Sequence, residues 1–236
     1  MHPAAERTTD YAIAAPAVTT VAVAGREAVF PVARVFCVGR NYAEHAIEMG
    51  HDPERELPFF FMKPADAVVP SGTLPFPTQT RELHHEVELV VALGEGGREI
   101  REEDALDHVF GYAVGLDMTR RDMQAVAKKA GRPWDMAKGF DQSAPTGPIC
   151  AAEEIGHPTQ GAVWLRINGE LRQEGDLAQQ IWKVAETISY LSTLVTLRPG
   201  DLIMTGTPSG VGPVEPGDRL EGHIDGVGDV TVTYDG

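Results

Sequence analysis

Three acidic side chains, Glu86, Glu88 and Asp117, have types and spacing that suit metal binding. The two glutamates flank Val87 in the run His-Glu-Val-Glu-Leu-Val-Val-Ala-Leu, which has the composition of a buried strand. Side chains alternate between the two faces of a strand, so Glu86 and Glu88 are expected on the same face. Carboxylates crowded in a partly buried place repel each other unless a cation compensates, and their oxygens favour Mg²⁺, Mn²⁺ or Ca²⁺ over zinc. The alternative is that both glutamates face water from an edge strand.

Asp117 ends a second apolar run, Gly-Tyr-Ala-Val-Gly-Leu-Asp, just before a polar segment. A carboxylate at the end of a buried strand is well placed to complete a metal site. The competing interpretation is that Asp117 caps the helix that follows.

A histidine and a glutamate lie three residues apart in the segment Asn-Tyr-Ala-Glu-His-Ala-Ile-Glu-Met-Gly, which the pattern predicts as a helix of about two turns from Asn41 to Gly50. His45 and Glu48 therefore share one helix face. A carboxylate beside an imidazole fixes its tautomer and raises its basicity, so the pair could take a proton from water. The alternative is an exposed ion pair on a helix.

Two further features could stabilise negative charge. Lys138 stands among apolar and small residues in Met-Ala-Lys-Gly-Phe, either as a surface residue or as the partner of an anion or enolate. The glycine-rich loop 205–212 offers backbone amides that could hold an oxygen anion, although it could equally be a plain turn.

Short elements must position these residues, because 25 glycines and 17 prolines imply many turns and favour strands over long helices. The Asn168-Gly169 dipeptide predicts a hairpin. The pattern gives one domain, with strands predicted at 11–14, 18–24, 28–32, 35–39, 85–93, 109–116, 163–167, 170–173 and from 201 onward, and helices at 104–109, 119–130 and 179–194.

Composition excludes several classes of protein. The net charge is −15, from 35 acidic and 20 basic residues, so nucleic acids and anionic membranes would repel the chain. No apolar run approaches the length of a membrane span, and the N-terminus lacks a signal-peptide pattern, so the expected compartment is the cytoplasm.

The order of the motifs resembles the fumarylacetoacetate hydrolase family, and most closely its bacterial fumarylpyruvate hydrolase and acylpyruvase members. The resemblance extends from about Val35 to the C-terminus. It is carried by Val-Gly-Arg-Asn-Tyr-Ala-Glu-His, Phe-Met-Lys-Pro, His-His-Glu-Val-Glu-Leu, Leu-Asp-Met-Thr-Arg-Arg-Asp, Ala-Lys-Gly-Phe, Asn-Gly-Glu-Leu-Arg-Gln and Thr-Gly-Thr-Pro-Ser-Gly-Val-Gly.

This resemblance implies an α+β fold, a mixed β-sandwich roll with short flanking helices, and usually a homodimer. Residues 35–236 would form the catalytic domain, and residues 1–34 a short strand segment packed on it.

The resemblance also implies roles for individual residues. Glu86, Glu88 and Asp117 would bind Mg²⁺, or Mn²⁺ or Ca²⁺ in its place, and His45 with Glu48 would form the catalytic dyad on a lid helix. The substrate and enolate site would be lined by Arg121, Gln124, Lys138 and Thr207, with Arg40 and Lys63 as candidates to meet a second substrate carboxylate.

The implied reaction is hydrolysis of the carbon–carbon bond of a small keto acid, an acylpyruvate. The best candidate is fumarylpyruvate, an intermediate of aromatic-compound catabolism, which would give fumarate and pyruvate with a metal-held pyruvate enolate as leaving group. Three alternatives stay open: an oxaloacetate decarboxylase, an isomerase or decarboxylase of aromatic-degradation intermediates, and a non-catalytic domain that binds a keto acid.

Overall fold

The computed structural model describes residues 11–42 and 56–235, and the elements below lie within these ranges. The strands are β1 (Thr20–Ala22), β2 (Val29–Pro31), β3 (Arg34–Gly39), β4 (Phe59–Lys63), β5 (Val68–Val69), β6 (Gly72–Leu74), β7 (Leu83–His85), β8 (Val87–Leu93), β9 (Val109–Leu116), β10 (Thr119–Arg120), β11 (Ala144–Pro145), β12 (Cys150–Ala151), β13 (Ala162–Ile167), β14 (Glu170–Asp176), β15 (Asp201–Met204), β16 (Gly212–Val214), β17 (Arg219–Ile224) and β18 (Gly228–Tyr234).

Helices are short. The α-helices are α1 (Arg121–Ala130), α2 (Asp135–Lys138), α3 (Ala152–Ile155) and α4 (Val184–Leu194), and 3-10 helices cover Ala65–Ala67, Glu102–His108 and Leu177–Gln179. None of the described helices has the length and apolar character that a membrane crossing requires.

Two large sheets build the molecule. The first has six strands in the order β12-β9-β8-β15-β3-β4, with β15 and β3 parallel and the other neighbours antiparallel. The second has five strands in the order β14-β13-β17-β18-β6. They face each other, since β17 and β18 contact β9. The result is the strand-rich sandwich with short helices that was expected.

Strand β8 is buried on both faces because the six-stranded sheet has a covered surface on each side. Val87, Leu89 and Val91 belong to the core between the two large sheets. Val90 and Ala92 belong to a second cluster on the opposite face. The two clusters follow the period of two that strand geometry imposes, so the prediction that Glu88 points away from Val87 and Leu89 is correct.

The N-terminal segment lies against the second of these clusters. Val21, Val23, Phe30 and Val32 are buried there, beside residues of the six-stranded sheet. The predicted strand at 11–14 is wrong: residues 11–19, which the structure describes, form no strand. Tyr11 and Ile13 are 63% and 81% exposed, so the stretch lacks the side-chain packing that stabilises a strand.

The helices predicted at 119–130 and 179–194 form, but with corrected limits, and the one predicted at 104–109 is the 3-10 helix Glu102–His108. Helix α1 ends, as predicted, before Gly131, which is in the left-handed conformation with φ of 62°. Helix α4 begins only at Val184, because the main chain before it is bound elsewhere: the Ile181 amide donates to the carbonyl of Asn41 at 2.8 Å.

The predicted hairpin is confirmed. Asn168 and Gly169 join β13 to β14 with φ values of 53° and 84°. These angles fit the turn type that the right-handed twist of hairpin strands favours.

Candidate active site

The three acidic residues come together through the pairing of β8 with β9. Val87 lies opposite Leu116 in this antiparallel pair, which sets Glu86 opposite Asp117, and the Asp117 amide donates to the Glu86 carbonyl at 2.8 Å. One carboxylate oxygen from each of Glu86, Glu88 and Asp117 lies within 4.8 Å of the other two. Their exposed fractions are 6%, 2% and 0%, so the edge-strand alternative, in which the glutamates face water, is wrong.

Two buried lysines balance these carboxylates. The Nζ of Lys138 donates to Glu86 Oε2 at 2.9 Å and to Asp117 Oδ2 at 2.7 Å. Its side chain is 3% exposed, so the surface interpretation of Lys138 is wrong. The Nζ of Lys63 lies 2.8 Å from Asp117 Oδ1.

Lys63 makes its described contacts inside the protein. Its ammonium donates to the carbonyls of Met118 and Lys138 and its side chain is fully buried. Lys63 supports Asp117 and is absent from the lining of the pocket that contains Glu86 and Glu88. Its expected contact with a second substrate carboxylate stays a prediction.

Burial and the neighbouring charges shift the pKa values of Glu88 and Lys138 in the cluster. Burial, reinforced by Asp117 and Glu86, raises the pKa of Glu88 well above the ordinary carboxyl value. Burial lowers the pKa of Lys138, but attraction to Asp117 and Glu86 outweighs it and raises the pKa overall. The amide of Gly206 donates to Glu88 Oε2 at 2.7 Å, which favours the charged form only in part.

The residues present suit a divalent cation. Three buried carboxylates supply hard oxygen atoms within one coordination sphere. Asp117 Oδ1 accepts no hydrogen bond from the residues that the structure describes, despite its ion pair with Lys63, so a lone pair remains for a metal. The ligand role of Glu86, Glu88 and Asp117 stays a prediction that this geometry supports.

Helix α1 brings two predicted substrate residues to the same pocket. Arg121 donates through Nη2 to Glu86 Oε1 and through Nη1 to Gln124 Oε1, the latter at 2.7 Å. Both side chains line a pocket whose floor includes Glu86 and Glu88. The guanidinium is thereby held at the edge of the carboxylate cluster.

The glycine-rich loop 205–212 binds a carboxylate of the cluster, whereas the sequence predicted that its amides would hold an oxygen anion or form a plain turn. Its Gly206 amide binds Glu88, so that group is not available for a substrate oxygen. The Thr207 hydroxyl donates its one proton to the Val87 carbonyl at 2.8 Å and lines the pocket. Thr207 can therefore offer substrate a lone pair or its methyl group, but not this proton.

Gln173 is a site residue that sequence reasoning missed. It is fully buried, and its amide makes four hydrogen bonds: Oε1 accepts from the Val87 amide and pairs with His85 Nδ1, and Nε2 donates to Thr207 Oγ1 and the Pro208 carbonyl. It ties the hairpin to both chain segments of the cluster. In the sequence, the one indication of a role for Gln173 was its position at the end of the Asn-Gly-Glu-Leu-Arg-Gln motif.

The outer part of the pocket carries Arg40, Lys128, Phe59 and Trp134. Arg40 was expected to contact substrate, and the structure places it on the pocket wall. Lys128 and Trp134 were not predicted, because nothing in a lysine pair or a lone tryptophan distinguishes a pocket wall from an ordinary surface.

His45 and Glu48 lie outside the described residues. Their role as a catalytic dyad stays a prediction. Asn41, just before them, donates from Nδ2 to the carbonyls of Trp182 and Thr205, at 2.9 and 2.8 Å, which anchors this end of the segment near the loop.

Comparison with known proteins places this site in a family. The model of the fumarylacetoacetate (FAA) hydrolase C-terminal domain matches residues 34–234. The chain belongs to the fumarylacetoacetate hydrolase family. The expected family fold, with its mixed sheets and few helices, is thus confirmed.

Within the family, a solved structure is very similar. Fumarylpyruvate hydrolase from Pseudomonas aeruginosa, in complex with Mn²⁺ and pyruvate, is 54% identical, with a TM-score of 0.94 over 96% of this chain and 99% of that one.

Other relatives in the fumarylacetoacetate hydrolase family carry a different activity. Mitochondrial oxaloacetate tautomerase FAHD1 of Mus musculus is 48% identical over 194 residues, covering 82% of this chain and 87% of that protein. Mitochondrial oxaloacetate decarboxylase of Dictyostelium discoideum is 41% identical over 204 residues, covering 86% and 93%. Family membership therefore makes this chain an enzyme of the hydrolase and tautomerase type and leaves its substrate to further argument.

Proposed function

We propose that this protein is a metal-dependent acylpyruvate hydrolase whose substrate is fumarylpyruvate. The observation that carries the proposal is the buried cluster of Glu86, Glu88 and Asp117 at the floor of a cation-lined pocket. The similarity to a fumarylpyruvate hydrolase that binds Mn²⁺ and pyruvate supports both the metal and the class of substrate.

The metal held by these three carboxylates would act as a Lewis acid toward the oxygens of a keto acid. Lys138 supplies a second positive charge beside them, and its raised pKa keeps it an ammonium at neutral pH. Because it is 3% exposed, its charge is little screened by water, so it can stabilise an enolate oxygen strongly.

Arg121 orients the keto-acid end of the substrate. Its guanidinium is fixed by Glu86 and Gln124 at the rim of the cluster, so little rotamer freedom is lost when an anion binds. Gln124, which is 3% exposed and lines the pocket, accepts a hydrogen bond from the Nη1 of that guanidinium.

We assign the activation of water to His45, oriented by Glu48, as the family motif implies. His45 takes a proton from water, and the resulting hydroxide adds to the carbonyl carbon of the acyl group. The bond between that carbon and C3 of the pyruvate unit breaks, and its electron pair stays with the pyruvate fragment as the enolate. His45 returns the proton that it took from water to the enolate carbon, which gives pyruvate, and the acyl group leaves as a carboxylic acid.

The direct test is the loss of ultraviolet absorbance by fumarylpyruvate with purified protein and Mn²⁺ or Mg²⁺, beside acetylpyruvate and oxaloacetate. We expect metal-dependent turnover of fumarylpyruvate, loss of activity with a chelator, and recovery on adding metal. Turnover of oxaloacetate alone would overturn the hydrolase proposal.

A second candidate, conversion of oxaloacetate, is favoured by the names of the mouse and Dictyostelium relatives. Neither tautomerisation nor decarboxylation of oxaloacetate needs an attacking water. His45→Ala is therefore expected to abolish hydrolysis and to reduce oxaloacetate conversion less, with His223→Ala on the far sheet as the control. Equal loss of both activities in His45→Ala would contradict this division of roles.

A further inference from the structure

Four cations line a pocket in a protein of net charge −15: Arg40, Arg121, Lys128 and Lys138. Lys138 is hydrogen-bonded to Glu86 and Asp117. The guanidinium of Arg121 donates a hydrogen bond to Glu86 at the pocket floor. Arg40 and Lys128 lie farther out. Such a concentration of positive charge, against the sign of the whole molecule, marks a place that attracts an anion.

The spacing along α1 sets the distance between the two parts of the pocket. Arg121, Gln124 and Lys128 follow one another at three and four residues, so they share one face of the helix. Seven residues of helix advance about 10 Å along the axis. A substrate held at Arg121 by one end would therefore reach Lys128 only if it were an extended molecule.

The ammonium of Lys128 has no acidic partner in residues 11–42 and 56–235. It lies 5.2 Å from the centre of the Trp134 ring, and its described contacts include no ion pair. Partial burial, with the charges of Arg121 and Arg40, lowers the pKa of Lys128. Attraction by Glu86 offsets these effects only in part, so among the described residues this ammonium lies in a net repulsive field that an anionic ligand would relieve.

Arg40 approaches the same space from the end of β3. Its backbone has φ of 59°, a left-handed conformation that is uncommon for a residue with a side chain and that clusters at ligand sites. The guanidinium lies 5.4 Å from the centre of the Phe59 ring. Its only described carboxylate neighbour is Glu56 at 4.0 Å, which is 77% exposed, so this pair is weak.

We propose that Lys128, together with Arg40, binds a carboxylate at the end of the substrate remote from Glu86, Glu88 and Asp117, and that Lys128 thereby selects dicarboxylic acylpyruvates. The inference rests on the proposed function, and it adds the residue that distinguishes among acylpyruvates. Fumarylpyruvate carries such a carboxylate, whereas acetylpyruvate ends in a methyl group. Trp134 and Phe59, whose ring centroids are 5.5 Å apart in edge-to-face contact, give the carbon chain between the two carboxylates one aromatic wall.

The test compares Lys128→Gln with the parent enzyme on fumarylpyruvate and acetylpyruvate. The measured quantity is the selectivity ratio, kcat/KM for fumarylpyruvate over kcat/KM for acetylpyruvate. We expect the ratio to fall about tenfold in Lys128→Gln, mostly through KM, because one charge-assisted contact to the substrate is lost. Lys128→Arg should keep most of the ratio.

Lys129→Gln is the matched control, since it removes the same charge from the next residue of α1, which is exposed and does not line the pocket. It should keep the parent ratio. An unchanged ratio in Lys128→Gln, or an equal fall in Lys129→Gln, would overturn the proposal.

Calorimetric binding in the presence of Mn²⁺ separates this inference from the proposed function, because it needs no turnover. If the parent protein hydrolyses neither substrate, the hydrolase proposal fails. Weaker binding of fumarylpyruvate by Lys128→Gln, about tenfold and in excess of any change for acetylpyruvate, would still support the carboxylate site. Equal affinities for parent and variant would refute it.

Discussion

The floor and the mouth of the pocket differ in how deeply their charged side chains are buried and in whether those charges are paired. At the floor, Glu88, Asp117 and Lys63 are at most 2% exposed, and their charges are balanced by one another. At the mouth, Lys128 is exposed and lies on an aromatic ring without an ion pair in the described chain. The floor is fixed by two paired strands, and the mouth by side chains projecting from a helix and a turn.

This difference separates chemistry from selectivity. A reacting group must be held in a dry, preorganised place, where its charge acts through a low dielectric. A group that only distinguishes one substrate from another can remain solvated and adaptable. Substitutions at the floor should therefore affect catalysis or folding, and substitutions at the mouth should affect the choice of substrate alone.

The largest effect is expected at the floor, for Glu88→Gln. Loss of a ligand charge should lower kcat/KM for every substrate by roughly 1,000-fold or more, because Lewis-acid stabilisation is worth several kcal/mol. Metal affinity, measured by calorimetry, should fall with it. The metal-free variant should unfold at an unchanged or higher temperature at pH 8, because the buried charge is gone. Retained Mn²⁺ affinity in Glu88→Gln would contradict the assignment of Glu88 as a metal ligand at the pocket floor.

Removal of the buried cation beneath the site should act on folding. Lys63→Met leaves Asp117 with Lys138 as its one described cation and removes the ammonium from two buried carbonyls, and we expect a loss of about 3–5 kcal/mol in the free energy of unfolding. Lys128→Met, the same change at the mouth, should stay within about 0.5 kcal/mol. Urea denaturation of both variants measures this, and equal stabilities would contradict the assignment of Lys63 to the floor.

Metal binding should depend on pH. Because the pKa of Glu88 is raised, a proton must leave before that carboxylate binds metal. Mn²⁺ affinity should therefore rise by up to about tenfold per pH unit above the ordinary carboxyl range and level off above the raised pKa. Without metal, ionisation of Glu88 lowers stability over the same window as pH rises. Constant affinity between pH 5.5 and 8 would argue against a proton on Glu88.

The smallest effect concerns salt. If the mouth recognises a carboxylate through solvated cations, the preference for fumarylpyruvate should narrow a few-fold between about 0.05 and about 0.5 M KCl, since added ions screen exposed charges. The activity on acetylpyruvate should change less. A selectivity ratio that does not change with salt concentration would indicate that the second carboxylate is bound in a buried contact instead.

Much of the fold could be predicted because its signals are local. The alternation in β8 and the Asn168-Gly169 turn each arise from a few consecutive residues, and both predictions were correct. The start of α4 could not be predicted, since the amide of Ile181 is bound by Asn41, far away in sequence.

For the site, the types and order of the residues were enough to indicate the family and the three acidic residues. Their spatial relations became visible only in the fold: Glu86 lies opposite Asp117, Lys63 is paired with Asp117, Gln173 joins the hairpin to the cluster, and Lys128 lines the pocket. Strand register and packing bring together residues dozens of positions apart, and no local pattern encodes which distant partner a buried polar group finds.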